Sequence, residues 1–216
     1  MRKAVKEEPS RHYDATGRRI AAEGTRRRIL QAANKLFLDR GYAATTMVAI
    51  AADADVSVET IYLSVGCKAA LARYLIETAL SGTDRPVPAL ERPVVQEIQA
   101  ESDAHRKVQM FARVVRELQE RLAPIWDVVR EAARADAGLA SLITELKERH
   151  IGNMRLFVEH LASVGALRAD LSAELAADVV WATNSPEFYR LLVVERGWSG
   201  ETFESYLADA WQRLLL

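Results

Sequence analysis

Residues 25–71 read TRRRILQAANKLFLDRGYAATTMVAIAADADVSVETIYLSVGCKAAL, and the order of apolar, hydroxyl and glycine residues in them decides the fold. Ile29, Ala33, Leu36 and Phe37 recur at the three- and four-residue spacing of one buried helix face, predicting a first helix from about Glu23 to Arg40. Gly41 is its stop. Thr45 and Thr46 offer an N-cap for a short second helix, Met47 to Ala54, with Ile50 turned inward. Asp55 stands at a turn, where Asp tolerates left-handed backbone better than most residues. Ser57 caps a third short helix, Val58 to Ser64, which Gly66 breaks. A fourth runs from Lys68 to about Leu80.

Outward from this core, residues 1–22 are polar and rich in Arg and Lys, and are expected to form a flexible basic arm. The run Ser81 to Pro88, with Pro93 after it, reads as a linker. Beyond it helices are expected near 104–122, 124–135, 138–163, 172–195 and 200–215. Pro124 suits the first position of a helix, and Pro186 should kink the helix that contains it, freeing a carbonyl to face a cavity. No alternating strand pattern or internal repeat is present. The expected fold is all-α: a three-helix helix-turn-helix domain over 23–66 and a helical domain for ligand sensing and dimerisation over 67–216.

Composition agrees and excludes several classes. Gly and Pro are few among the 216 residues, and half of the residues are hydrophobic. The net charge of −1 hides an asymmetry: residues 1–80 hold 13 Lys/Arg against 9 Asp/Glu, and the remainder holds 16 against 21. A basic end on an acidic body fits a protein that meets phosphate at one end only. The single cysteine, Cys67, fits a reducing cytoplasm, and no signal peptide or membrane span is expected. The sequence has no HExxH, Gly-rich phosphate loop or GxSxG, and its four histidines lack tight ligand spacing, so no catalytic residue, metal or cofactor is assigned.

Two short helices joined by a tight turn, each opened by a hydroxyl cap, form a helix-turn-helix candidate. The second can enter a major groove by its N-terminal end, and the helix-start N–H groups by Thr46 and Ser57 can meet phosphates. The segment resembles the DNA-binding domain of the tetracycline-repressor (TetR) family. The likeness lies in Arg28-Ile29-Leu30 with Ala33, Phe37, Gly41-Tyr42, Thr45-Thr46, Ile50-Ala51, Val56-Ser57, Ile61-Tyr62, and Gly66-x-Lys68-x-x-Leu71. The resemblance implies phosphate contacts from Thr46, Tyr62 and Lys68, and base-edge or phosphate contacts from Ser57, Val58, Glu59 and Thr60. Thr46 and Ser57 also read as caps, Tyr62 as a core residue, and Glu59 as a complement to the helix dipole. Val65, Asp55 and Cys67 depart from the family's common residues, and the third helix carries no Lys or Arg.

The resemblance further implies a dimer through the last two helices, expected over 172–216, and a small-molecule effector. Phe111, Trp126, Arg130, Met154, Trp181 and Asn184 are candidate ligand-lining residues; plain core accounts for the apolar ones, and a surface face for the polar ones. The expected function is a cytoplasmic, ligand-responsive regulator that binds a palindromic double-stranded DNA operator as a homodimer. The alternative is a small-molecule-binding or protein-docking module that has lost operator binding.

Overall fold

A computed structural model describes residues 15–216, which among them form ten α-helices and no strand. The first 14 residues of the expected arm lie outside the described residues; from Ala15 onward the chain is helical, so the first helix starts earlier than its periodicity implies. Helix α1 (Ala15–Ala44) is interrupted at Gly41, whose backbone (φ 78°, ψ 165°) is open to glycine and strained for other residues. Thr45 is buried there, and its hydroxyl donates to the carbonyls of Leu36 (3.0 Å) and Gly41 (2.8 Å), which satisfies the broken helix end.

Helices α2 (Met47–Ala54) and α3 (Val58–Ser64) follow, joined through Asp55 in the left-handed conformation (φ 52°). Helix α4 (Lys68–Ser81) begins after Gly66 and exposed Cys67 and ends at Gly82, also left-handed. Ile29, Ala33, Leu36 and Phe37 of α1 meet Ile50, Ile61, Leu71 and Ile76 in one apolar cluster. That cluster continues into Leu122, Ile125, Trp126, Leu139 and Leu142 of the following helices. The N-terminal unit therefore shares its core with the base of the C-terminal one.

The linker contains a single 3-10 turn, Ala89–Glu91, and a short helix the sequence reading missed, α5 (Pro93–Ala100), with Pro93 at its start. Helix α6 (Ala104–Ala132) runs unbroken through Pro124, correcting the expected pair of helices on either side of that residue. Leu122, Ala123, Ile125 and Trp126 are all buried, and their packing on both sides holds the helix across the missing hydrogen bond.

Helix α7 (Ala137–Ser163) is capped by Asp136. The expected helix over 172–195 is divided: α8 (Ala173–Thr183) ends at Asn184, Ser185 caps α9 (Pro186–Tyr189), and a wide π turn carries the chain from Arg190 to Glu195. Pro186 thus starts a helix. The carbonyl of Ala182, four residues before it, accepts from the Ser185 hydroxyl at 2.7 Å, so it is already paired and not free to face a cavity. Helix α10 (Gly200–Leu215) packs along α6, burying Phe203, Leu207 and Trp211, while Leu175, Leu191, Val194, Tyr206 and Leu214 leave an apolar face exposed on this side. Among the described residues no helix is long and apolar enough to cross a membrane.

Candidate functional site

The start of α2 and the whole of α3 stand at the surface. Thr46 caps α2, its hydroxyl accepting from the Ala49 amide at 3.1 Å, and Ser57 caps α3, accepting from the Thr60 amide at 3.2 Å. Ser57 Oγ also lies 3.0 Å from Thr60 Oγ1. Glu59 is exposed in the first turn of α3; its own backbone amide and the Ser57 hydroxyl hold its carboxyl below the ordinary range, so it stays charged. Val58 is half-buried. Tyr62, 54% exposed, is not a core residue, and its phenol has no hydrogen bond within the described residues. Leu63, which the sequence reading left out, is 90% exposed one turn after Glu59 on the same helix, and Val48 of α2 is exposed too.

Lys68 departs from expectation. Its ammonium donates to the carbonyls of Tyr42 and Thr45, both at 2.9 Å, and lies 4.2 Å from the Tyr42 ring centroid. The side chain ties the start of α4 to the turn before α2, so two of its three hydrogens are committed within the fold. Arg26 and Arg28 do similar work, donating to the carbonyls of Ser64 (2.6 Å) and Ala54 (3.3 Å) at the ends of α3 and α2.

In the C-terminal unit a cavity of about 1020 Å³ lies between α4, the linker, α5, α6, α7 and α8. Phe111, Trp126, Met154, Trp181 and Asn184 border it as expected, together with His150 and Asn153. Arg130 does not: it faces Asp127, at 3.3 Å one turn back on α6, and is withdrawn as a ligand-lining residue. Lys107, Gln119, His160 and Glu187 line the cavity without having been anticipated. Glu187 accepts from the Trp126 indole at 3.1 Å, and the Gln119 amide donates to the Asn184 carbonyl at 2.6 Å. The Gln119 Oε1 and Trp181 Nε1 atoms are buried without partners, an acceptor and a donor left over beside an apolar space.

Three comparisons place this architecture among known proteins. Residues 29–75 match the model of the bacterial regulatory proteins, tetR family. The chain is 33% identical over 193 residues to YdeS, an uncharacterised HTH-type transcriptional regulator of Bacillus subtilis (strain 168), covering 87% of this chain and 86% of that one. It belongs to the TetR family of regulators. Its fold matches the fatty acid degradation regulator FadR of Bacillus halodurans (TM-score 0.70, 16% identity, 96% of this chain and 97% of that one). It also matches NalD, the secondary repressor of the MexAB-OprM efflux pump of Pseudomonas aeruginosa (TM-score 0.68, 21% identity, 91% and 98%). Membership makes this chain a DNA-binding transcriptional regulator with an N-terminal helix-turn-helix, and not an enzyme.

Between the two parts of this TetR-family regulator runs α4. Its Arg73 pairs with Glu145 of α7 through two hydrogen bonds (2.9 and 2.7 Å), and its Glu77 pairs with Arg149 at 2.8 Å. Ile76 belongs both to the core beneath the helix-turn-helix and to the cavity wall.

His150 of the regulator is held neutral: burial in the cavity wall pushes its pKa down from 6.5 to about 4, against the opposing pull of Glu187. The unfolded chain takes up this proton before the folded one, so the associated stability is present above pH 6.5 and is lost as pH falls toward about 4. Urea unfolding across this range should show a smaller acid loss for His150→Gln than for the parent. Equal losses would exonerate His150.

Proposed function

We propose that this regulator is a cytoplasmic, effector-controlled repressor that binds a palindromic operator as a homodimer. In this reading residues 23–66 grip DNA, residues 67–216 sense a small molecule and dimerise, and the basic N-terminal segment follows the phosphates. Thr46, Ser57, Val58, Glu59, Thr60 and Tyr62 face the operator, Lys68 braces the chain beside it, and the exposed apolar face around Leu175, Leu191, Tyr206 and Leu214 meets a second copy. The half-sites lie one helical turn apart or a multiple of it.

One observation carries the switch: the same helix, α4, closes the core beneath the helix-turn-helix and walls the cavity, with Ile76 in both. An effector that prefers one placement of α4 changes the spacing of the two α3 helices, and it shifts operator binding only by its differential affinity for the two states. The test is to incubate the protein with fragmented genomic DNA from its source and sequence what it retains. A recovered palindrome, with Tyr62→Ala weakening binding roughly tenfold through loss of a hydrogen bond to a charged group, supports the reading. Retention of no common sequence at moderate salt overturns it for the effector-free protein.

A further inference from the structure

Lys107 is the one fully buried cation in the described residues, at 0% exposure, and it borders the cavity from the first turn of α6. Its ammonium donates to the Gln99 carbonyl at 3.2 Å and lies 2.7 Å from His160 Nδ1. No carboxylate of the described residues lies within ion-pair distance of it; the nearby Glu101 is engaged with Arg106 at 3.1 Å. A buried charge without a counter-ion is costly, and a methionine would fill the same space without that cost. With His160 Nδ1 accepting from the ammonium, the imidazole carries its proton on Nε2 and offers a second donor. Burial also lowers the Lys107 pKa, opposed by Glu101, as befits an ammonium awaiting a partner.

The rest of the cavity is long and apolar. Lys107 and Trp126 both border it from α6 and stand about 28 Å apart along the helix at about 1.5 Å per residue. Between them Phe111, Val114, Leu118 and Leu122 line the wall. We infer that the cavity takes an elongated apolar monoanion, its carboxylate set against Lys107 and His160 and its apolar body running along α6 toward Trp126 and Trp181. This inference rests on the effector-sensing reading above and names the class of effector.

The other cationic pair on the cavity wall is already served. Arg149 pairs with Glu77, and Arg92 donates to the carbonyls of Val87 (3.0 Å) and Leu80 (2.6 Å). Lys107 alone is left both buried and uncompensated.

The test uses the full-length protein without DNA and two probes that differ only in the head group, laurate and dodecanol, titrated by calorimetry. Laurate is expected to bind roughly tenfold or more tightly than dodecanol to the parent protein. Lys107→Met is expected to bring laurate down to the dodecanol level while leaving dodecanol itself unchanged, and to melt no lower than the parent when unliganded. Equal binding of the two probes, binding of neither, or a laurate preference that survives Lys107→Met would overturn the inference. The parent comparison needs no variant, so a misfolded Lys107→Met leaves the question decided. Because no DNA is present, failure here is separate from failure of the operator reading: a retained palindrome with no laurate preference rejects the monoanion alone.

Discussion

Leu63→Glu is expected to abolish operator binding while leaving the fold intact. Leu63 is 90% exposed, so exchanging it touches no core and should change stability by no more than about 0.5 kcal/mol. It nevertheless lies on α3, one turn beyond Glu59, on the helix proposed to enter the major groove. A carboxylate there sits beside phosphates with no cation on α3 to offset it. Like-charge placement across an interface costs several kcal/mol, so a loss of about 3 kcal/mol, roughly a hundredfold in affinity, is expected. Fluorescence anisotropy on the recovered operator, with thermal unfolding of the same sample, separates the two effects. Unchanged affinity would mean that α3 does not face DNA in the way proposed.

Phe37→Ala is the second large effect, and it acts on the fold. Phe37 is fully buried, its ring 5.3 Å from that of Tyr42, in the cluster that joins the helix-turn-helix to α6 and α7. Removing a buried phenylalanine leaves a void that the neighbours fill only in part, and the expected cost is about 3–5 kcal/mol. For a chain of this length that lowers the melting temperature by roughly 6–20 °C. Because Trp126 belongs to the same cluster, tryptophan fluorescence and helical circular dichroism should report one shifted transition. Two separated transitions, with Trp126 unaffected in the first, would show that the N-terminal unit melts apart from the base beneath it.

The fold of the N-terminal unit was legible because its signals are local. Thr46 and Ser57 each satisfy an amide within their own first turn, and the left-handed Asp55 and positive-φ Gly66 follow from backbone preference alone. The second and third helices accordingly begin and end where those residues place them. Pro124 was misleading for the opposite reason: whether a proline ends a helix depends on tertiary packing, and here buried residues on both sides carry the helix through. At Ser185-Pro186-Glu187 the start signal was present in the sequence, a hydroxyl cap followed by proline and an acidic residue, and reading Pro186 as a kink overlooked it.

The cavity was legible in part. Its aromatic and thioether walls, Phe111, Trp126, Met154 and Trp181, stand out as large apolar residues in helices. Lys107 and Gln119 look in sequence like the polar stripe of an amphipathic helix and become interior only when α5, α7 and α8 close over α6. Arg130 misled in reverse, since nothing local reveals that it pairs with Asp127 away from the space. Lys68 shows the limit of a motif: the residue type matches, yet its hydrogens are spent on the carbonyls of Tyr42 and Thr45.

The position of Cys67 gives the molecule a built-in ruler. It is the chain's single thiol, it is exposed, and it immediately precedes α4, at the foot of the helix that would carry the switch. A nitroxide attached there without any mutation places one label per subunit, so a dimer yields a single inter-label distance whose change on adding effector is the displacement of the two DNA-reading heads.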